Sequence, residues 1–190
     1  MMFFKRAAAD ERRRATTPDR LDRLDPARLD VRLLENGAVA LYHKALILSE
    51  DLAWLEGAGY RVHTLDAAHW TSPADFHDGA RDALALPVHY GGNLAAWLDW
   101  LGDLEVPVEG GVVFQFRHYD AFARAQPQFA QTLLDSLESA SRRFLVRGRR
   151  VLALVQSDDP RIRFERVGAM PVTWNPQEWL DSDRGVGRSE

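Results

Sequence analysis

Two short apolar runs separated by a long amphipathic segment constrain the fold of this chain most. The runs are residues 111–116 and 151–155, and both are nearly continuous in Val, Leu and Phe. Strands that are buried on both faces of a parallel sheet have this composition. Between them, residues 127–147 repeat apolar side chains at helical spacing. The alternation of strand, helix and strand predicts an α/β fold in which helices cover a parallel sheet.

The preceding part of the chain continues this alternation. Residues 39–41 and 46–48 have strand composition, and Ser49 followed by two acids is typical of a helix N-cap. A further strand is predicted over 60–65. We therefore expect an N-terminal βα unit whose edge strand forms a parallel pair with the strand at 60–65 through a right-handed crossover.

Two capped helices are predicted between the strands at 60–65 and 111–116. The first runs over 73–85, because a hydroxyl N-cap is followed by proline at the first helical position. The second begins at Asn93, and its predicted core stripe has the spacing of a helix packed on one side. That stripe consists of Leu94, Trp97, Leu98 and Leu101, with Asp99, Asp103 and Ala96 on the opposite face and Ala95 and Trp100 at the flanks.

The charge of the chain limits its partners. Lys and Arg total 24 against 28 Asp and Glu, a formal net charge of −4, which argues against non-specific binding of nucleic acid. Residues 84–109 contain no Lys or Arg but hold Asp99, Asp103, Glu105 and Glu109. This segment projects a negative field, so we expect it to attract a basic partner.

Length and composition predict one globular domain with tails. The chain has 190 residues, of which 46% are hydrophobic. Residues 1–32 are rich in charge and poor in large apolar side chains, which predicts a disordered tail. The α/β domain is assigned to 33–160, and 161–190 to a C-terminal extension with a polar end. Without cysteines, a secretory leader or a run of apolar residues long enough to span a bilayer, the chain is expected to be cytoplasmic, to bind no membrane and to be monomeric when free.

Catalytic and metal-binding motifs are missing from the sequence. Its six histidines form no HExxH, HxH or i, i+4 pair. It contains neither a phosphate-binding glycine loop nor a nucleophile elbow. We therefore predict no enzyme, no catalytic residues, no metal site and no cofactor.

The segment at 84–101 resembles the barstar family, intracellular inhibitors of the ribonuclease barnase. The resemblance rests on LALPVHYGGNL at 84–94 and WLDWL at 97–101, and the order of strands and helices around them agrees. It covers residues 60–157, about half of the chain. It implies a small three-stranded parallel sheet covered by helices, which the N-terminal βα unit would extend here.

In the barstar family, a helix and the loop before it plug the nuclease site, where acids replace the substrate phosphates. The resemblance implies a bacterial immunity-type protein that occludes a basic ribonuclease or a related toxin nuclease. Asp99 falls where the family has its main helix carboxylate. The predicted contact residues are His89, Tyr90, Gly91, Asn93, Ala95, Ala96, Asp99, Trp100 and Asp103.

Four positions depart from the family pattern. His89, Ala95 and Leu98 replace an aromatic residue, an acid and a tryptophan, and Arg143 aligns with a glutamate. An alternative hypothesis is therefore kept beside the inhibitor. In it, the fold serves as a structural or regulatory interaction module, and the N-terminal βα unit and the Trp-rich extension supply the binding surface.

Overall fold

Five strands form one sheet in which every observed pairing is parallel. The computed structural model describes residues 28–187. The strands are β1 (Val39–Tyr42), β2 (Tyr60–Asp66), β3 (Gly111–Arg117), β4 (Val151–Gln156) and β5 (Thr173–Trp174), in the spatial order β2-β3-β4-β1-β5. This arrangement confirms the predicted α/β class with a parallel sheet.

Six α-helices lie in the described part of the chain. None of the helices within residues 28–187 combines the length and the apolar character needed to cross a membrane. The helices are α1 (Leu29–Glu35), α2 (Ala45–Gly57), α3 (Pro73–Leu84), α4 (Leu94–Gly102), α5 (Tyr119–Ala125) and α6 (Pro127–Leu145).

Helices cover both faces of the sheet, because the central strands are apolar on both. Phe114 and Phe116 of β3 point into a core beneath α3, α4, α5 and α6. Val113 of the same strand and Leu152 and Leu154 of β4 point into a second core beneath α1 and α2. Alternation of side chains along each strand divides the two sets. The result is a three-layer α/β/α domain.

The N-terminal βα unit is present, but two of its predicted features are wrong. Its strand β1 is not an edge strand beside β2, because it lies between β4 and β5 and pairs with both. Its helix also starts earlier than the sequence predicts. Residues 46–48 lie in α2 and not in a strand, and Ser49 is inside the helix and not its N-cap. The backbone N–H groups of His43 and Lys44, just before α2, donate to the buried carboxylate of Glu178 at 2.9 and 2.6 Å. The cap therefore comes from a residue more than 130 positions away.

The disordered tail predicted over residues 1–32 includes residues that are folded in the structure. Residues 1–27 lie outside the described range, but 29–32 belong to α1. Asp30 in this helix is fully buried and accepts hydrogen bonds from Arg28 at 3.0 Å and from the Tyr60 hydroxyl at 2.7 Å. Burial opposes its ionisation, but these hydrogen bonds outweigh burial and hold the pKa of Asp30 below its ordinary value.

The C-terminal extension is built into the sheet, and its apolar side chains Ile162, Phe164, Val167, Val172 and Trp174 pack in or against the first core. Its strand β5 pairs with β1, and the side-chain amide of Asn175 donates to buried Asp51 at 2.7 Å. Asp51 also accepts from the Tyr42 hydroxyl at 2.8 Å. Removing residues from 161 onward would delete an edge strand and the Glu178 carboxylate at the start of α2. Truncation there cannot separate a binding arm from an intact domain.

Candidate protein-binding surface

The junction between the 85–93 loop and α4 is fixed by one side chain. The side-chain Oδ1 of Asn93 accepts a hydrogen bond from the backbone N–H of Ala96 at 3.0 Å, and the side-chain Nδ2 donates to the backbone carbonyl of Gly91 at 3.3 Å. Asn93 is thus the N-cap of α4, as its residue type favours. Asn93 and Gly91 are both exposed, whereas Ala96 is half-buried and packs against the first core.

A buried pair anchors the loop from beneath. The Tyr90 hydroxyl and Nδ1 of His77, on α3, lie 2.6 Å apart, and both side chains are buried. Burial lowers the pKa of His77 and raises the pKa of Tyr90 to about 12. Tyr90 was predicted as a contact residue, but the structure turns its ring inward. Tyr90 therefore holds the loop through His77. The neighbouring His89 is exposed.

The inner face of α4 locks the helix to the core. Trp97 and Leu101 are fully buried. The Trp97 indole N–H donates to the hydroxyl of Ser136 on α6 at 3.0 Å, and its ring meets Phe76 of α3 edge to face at 5.1 Å. These contacts fix both the position and the rotation of α4.

The rotation of α4 differs from the predicted one at three residues. Ala96 was assigned to the outer face but packs against the first core. Leu98 was assigned to the core but is 41% exposed. Trp100 was assigned to the flank, yet it is half-buried and stacks on Trp97 with ring centroids 5.3 Å apart. It also meets Phe114 of β3 edge to face. The large Trp100 ring, which buries more apolar area than Leu98, takes the inner position.

The outer face of α4 carries carboxylates without internal partners. Asp99 and Asp103 are exposed. Among residues 28–187, neither side chain accepts a hydrogen bond or forms an ion pair. Ala95 precedes Asp99 by one helical turn and Gly102 follows it by three residues, so both lie beside it on the helix surface. A Cβ added to Gly102 would meet no atom within 4 Å, so the helix surface at Gly102 is uncrowded.

The segment after the helix adds two more exposed acids, Glu105 and Glu109. We call Asp99, Asp103, Glu105 and Glu109 the acidic surface. Residues 84–109 hold no Lys or Arg, so no cation within this segment offsets their charge. Arg28 and Arg150, from other elements, line a cavity together with Glu109.

Two exposed apolar side chains lie in the loop and on α4, and sequence reasoning assigned neither of them to the surface. Val88 in the loop is fully exposed, and Leu98 on α4 is 41% exposed. Apolar groups that frame a charge exclude water from it when a partner docks. The placement of Val88 directly after Pro87, in a loop and outside any apolar periodicity, was the available signal.

One cation lies on the side of α6 that meets α4. Ser136 bonds Trp97, and Arg143 follows it by seven residues, which is about two helical turns on the same face. Arg143 is exposed. Its charge is opposite to that of the acidic surface.

The described residues hold no cluster of three or more His, Cys, Asp or Glu side chains placed to bind a metal ion. The region combines a helix fixed by the core, exposed carboxylates without partners among residues 28–187, and exposed apolar side chains. No curated protein matches the chain. A family model described as Barstar (barnase inhibitor) matches residues 60–156, just over half of the chain. This segment runs from β2 to the end of β4 and contains α3, the loop and α4. The chain belongs to the barstar family.

Proposed function

We propose that this protein inhibits a basic ribonuclease of the barnase kind by covering its active site with α4 and the loop before it. The observation that carries the proposal is the state of Asp99. Its carboxylate is exposed, without an internal partner, and flanked by Ala95 and Gly102 on a helix that the core holds in place. The description of the matching family supports the same class of partner.

The chemistry follows from what a ribonuclease must bind. Its substrate is a polyanion, so its active site presents cations in a concave surface. A carboxylate held at the right place competes with a phosphate oxygen and accepts charge-assisted hydrogen bonds from Arg or Lys. Asp99 would occupy the phosphate position, and Asp103 would add charge one turn further along the helix.

A fixed helix makes this competition effective. Trp97 and Leu101 lock the inner face of α4, and Asn93 and Tyr90 hold the loop. Little conformational freedom remains to be lost on binding, and this raises affinity. Val88 and Leu98 would pack against the rim of the nuclease site and exclude water from the charged contact.

The acidic surface should also speed association. Four exposed carboxylates attract a basic enzyme over distances comparable with the Debye length, about 8 Å at physiological salt. Association with the nuclease is therefore expected to slow as salt is raised, whereas the contacts of Val88 and Leu98 are less sensitive to salt.

The test is the inhibition of RNA cleavage by a barnase-type ribonuclease, measured with the full chain. We expect inhibition that competes with RNA, because the acidic surface and the phosphates would share one site. Asp99→Ala should weaken inhibition about tenfold or more, the effect of losing a hydrogen bond to a charged group. Glu56→Ala, which removes an exposed carboxylate from the last turn of α2, is the matched control.

Three results would contradict the proposal. Inhibition that RNA cannot compete with would place the contact away from the active site. Equal inhibition by wild type and Asp99→Ala would remove the acidic surface from the contact. Absence of any binding to such nucleases would favour the alternative of a non-inhibitory interaction module.

A further inference from the structure

A concave site lies at the β5 edge of the sheet, against β1 and β5. It is a cavity of about 600 Å³ formed by the loop after β4 and by the segment from β5 to Gly187. Its size is typical of small-molecule sites. All of its lining residues fall outside 60–156, so the family match does not include it.

One wall of the cavity is aromatic. Trp179 is 54% exposed, and within residues 28–187 its ring contacts no other aromatic ring. Trp174 lies beside it in the lining, with the Arg184 guanidinium 4.4 Å from its ring centre. An exposed indole at the wall of a cavity offers a flat apolar face on which a planar ring can stack.

The charged groups of the lining leave two cations uncompensated. Arg184 is buried and pairs with Asp181, the one acid among the lining residues. Arg161 and Arg163 are exposed, and their guanidinium groups make no ion pair or hydrogen bond in the described part of the chain. Guanidinium groups bind phosphate oxygens in a bidentate manner. The cavity therefore favours an anion.

The walls are already held in place. The Arg184 guanidinium donates to the backbone carbonyls of Pro160 at 2.8 Å and Trp179 at 3.0 Å, and also to that of Glu178. Glu178 in turn binds the backbone at the start of α2. Because the backbone of Trp179 is fixed from two sides, a ligand would meet a formed site and lose little affinity to ordering.

We propose that this cavity binds a nucleoside phosphate, with its base stacked on Trp179 and its phosphate held by Arg161 and Arg163. A planar base and an anionic group are the two features that this lining can bind together. A free nucleotide and the end of an RNA strand share this chemistry. The proposal is independent of the acidic surface and of any nuclease partner.

The experiment is calorimetric titration of the full chain with UMP, AMP and a short oligouridylate, beside uridine and inorganic phosphate. We expect saturable binding of the nucleotides and weaker binding of uridine or phosphate alone. Trp179→Ala should weaken nucleotide binding about tenfold or more, with partial recovery in Trp179→Phe. The double variant Arg161→Gln/Arg163→Gln should abolish the advantage of UMP over uridine.

Matched controls are exposed residues outside the cavity, Arg166→Gln and Trp54→Ala, which should bind nucleotides as wild type does. Binding of UMP identifies a free nucleotide as sufficient, and binding of the oligouridylate alone identifies an RNA strand. Absence of binding by both would overturn the proposal. So would nucleotide binding that survives the changes at Trp179 and at the two arginines, or phosphate binding as tight as that of UMP.

Discussion

Carboxylates in this protein occupy two opposite settings. Asp30, Asp51, Glu138 and Glu178 are buried, and each accepts two or more hydrogen bonds, at least one of them from a distant part of the chain. Asp99 and Asp103 on α4 are exposed and accept none from residues 28–187. The buried acids join distant segments, whereas the acids of α4 join nothing inside the molecule. The difference separates carboxylates that the fold needs from carboxylates that a partner could use.

The largest effect on stability is expected from Glu178→Ala. The change leaves the N–H groups of His43 and Lys44 without their acceptor, and two charge-assisted hydrogen bonds are lost. The free energy of unfolding, measured by urea denaturation, should fall by about 3 kcal/mol. Glu178→Gln keeps one acceptor oxygen and should lose less. If both variants unfold like wild type, the buried acids do not have the structural role assigned to them.

The anchor beneath the loop should have a smaller effect. Tyr90→Phe removes the hydroxyl and leaves Nδ1 of His77 buried without its partner. We expect a loss of about 1–2 kcal/mol in the free energy of unfolding. If the proposed function holds, the same variant should also weaken nuclease binding, because the loop that carries His89 is less firmly held. If Tyr90→Phe loses stability but binds the nuclease as tightly as wild type, the loop does not take part in the contact.

The same anchor predicts a pH dependence. Burial lowers the pKa of His77, so below about pH 6.5 the unfolded state binds more protons than the folded state. Its contribution to stability is complete above that pH and is lost as the pH falls. His63, whose pKa burial also lowers, adds a slope of the same sign. His77→Asn should therefore flatten the fall between pH 6.5 and 5, and an unchanged slope would contradict the argument.

The smallest expected effect concerns Arg143, the exposed cation that follows Ser136 by seven residues on α6. Arg143→Glu should increase the association rate with a basic nuclease a few-fold at low salt, and high salt should remove the increase. Arg147→Glu changes an exposed charge one turn further along the chain and serves as a comparison. A slower association of Arg143→Glu would indicate that the partner presents an acid at this point.

Much of the sheet and its first layer could be predicted from local patterns. Short local patterns were enough to predict the strands at 60–65, 111–116 and 151–155. The N-caps and the apolar spacing were enough to predict the helix that begins at Pro73 and the helix capped by Asn93. The sequence could not show which flank of α4 is buried, because Leu98 and Trp100 are both apolar. Contact of Trp100 with Phe114, from another element, decides that rotation.

Long-range partners explain the other differences. Residues 46–48 read as a strand because three apolar residues follow one another, and the acceptor at the start of α2 is Glu178, far along the chain. Buried Asp30 likewise depends on Tyr60 and Arg150 for its place in α1. In the candidate site, Asp99 could be found from a motif, whereas the inward turn of Tyr90 required the position of His77.

The most direct test of the account is a paired measurement on Asp99→Ala. Its unfolding free energy in urea and its affinity for a barnase-type ribonuclease would be determined on the same preparation. The account predicts stability within about 0.5 kcal/mol of wild type and affinity weaker by about tenfold or more. A destabilised Asp99→Ala, or a stable one that binds the nuclease as tightly as wild type, would contradict the account.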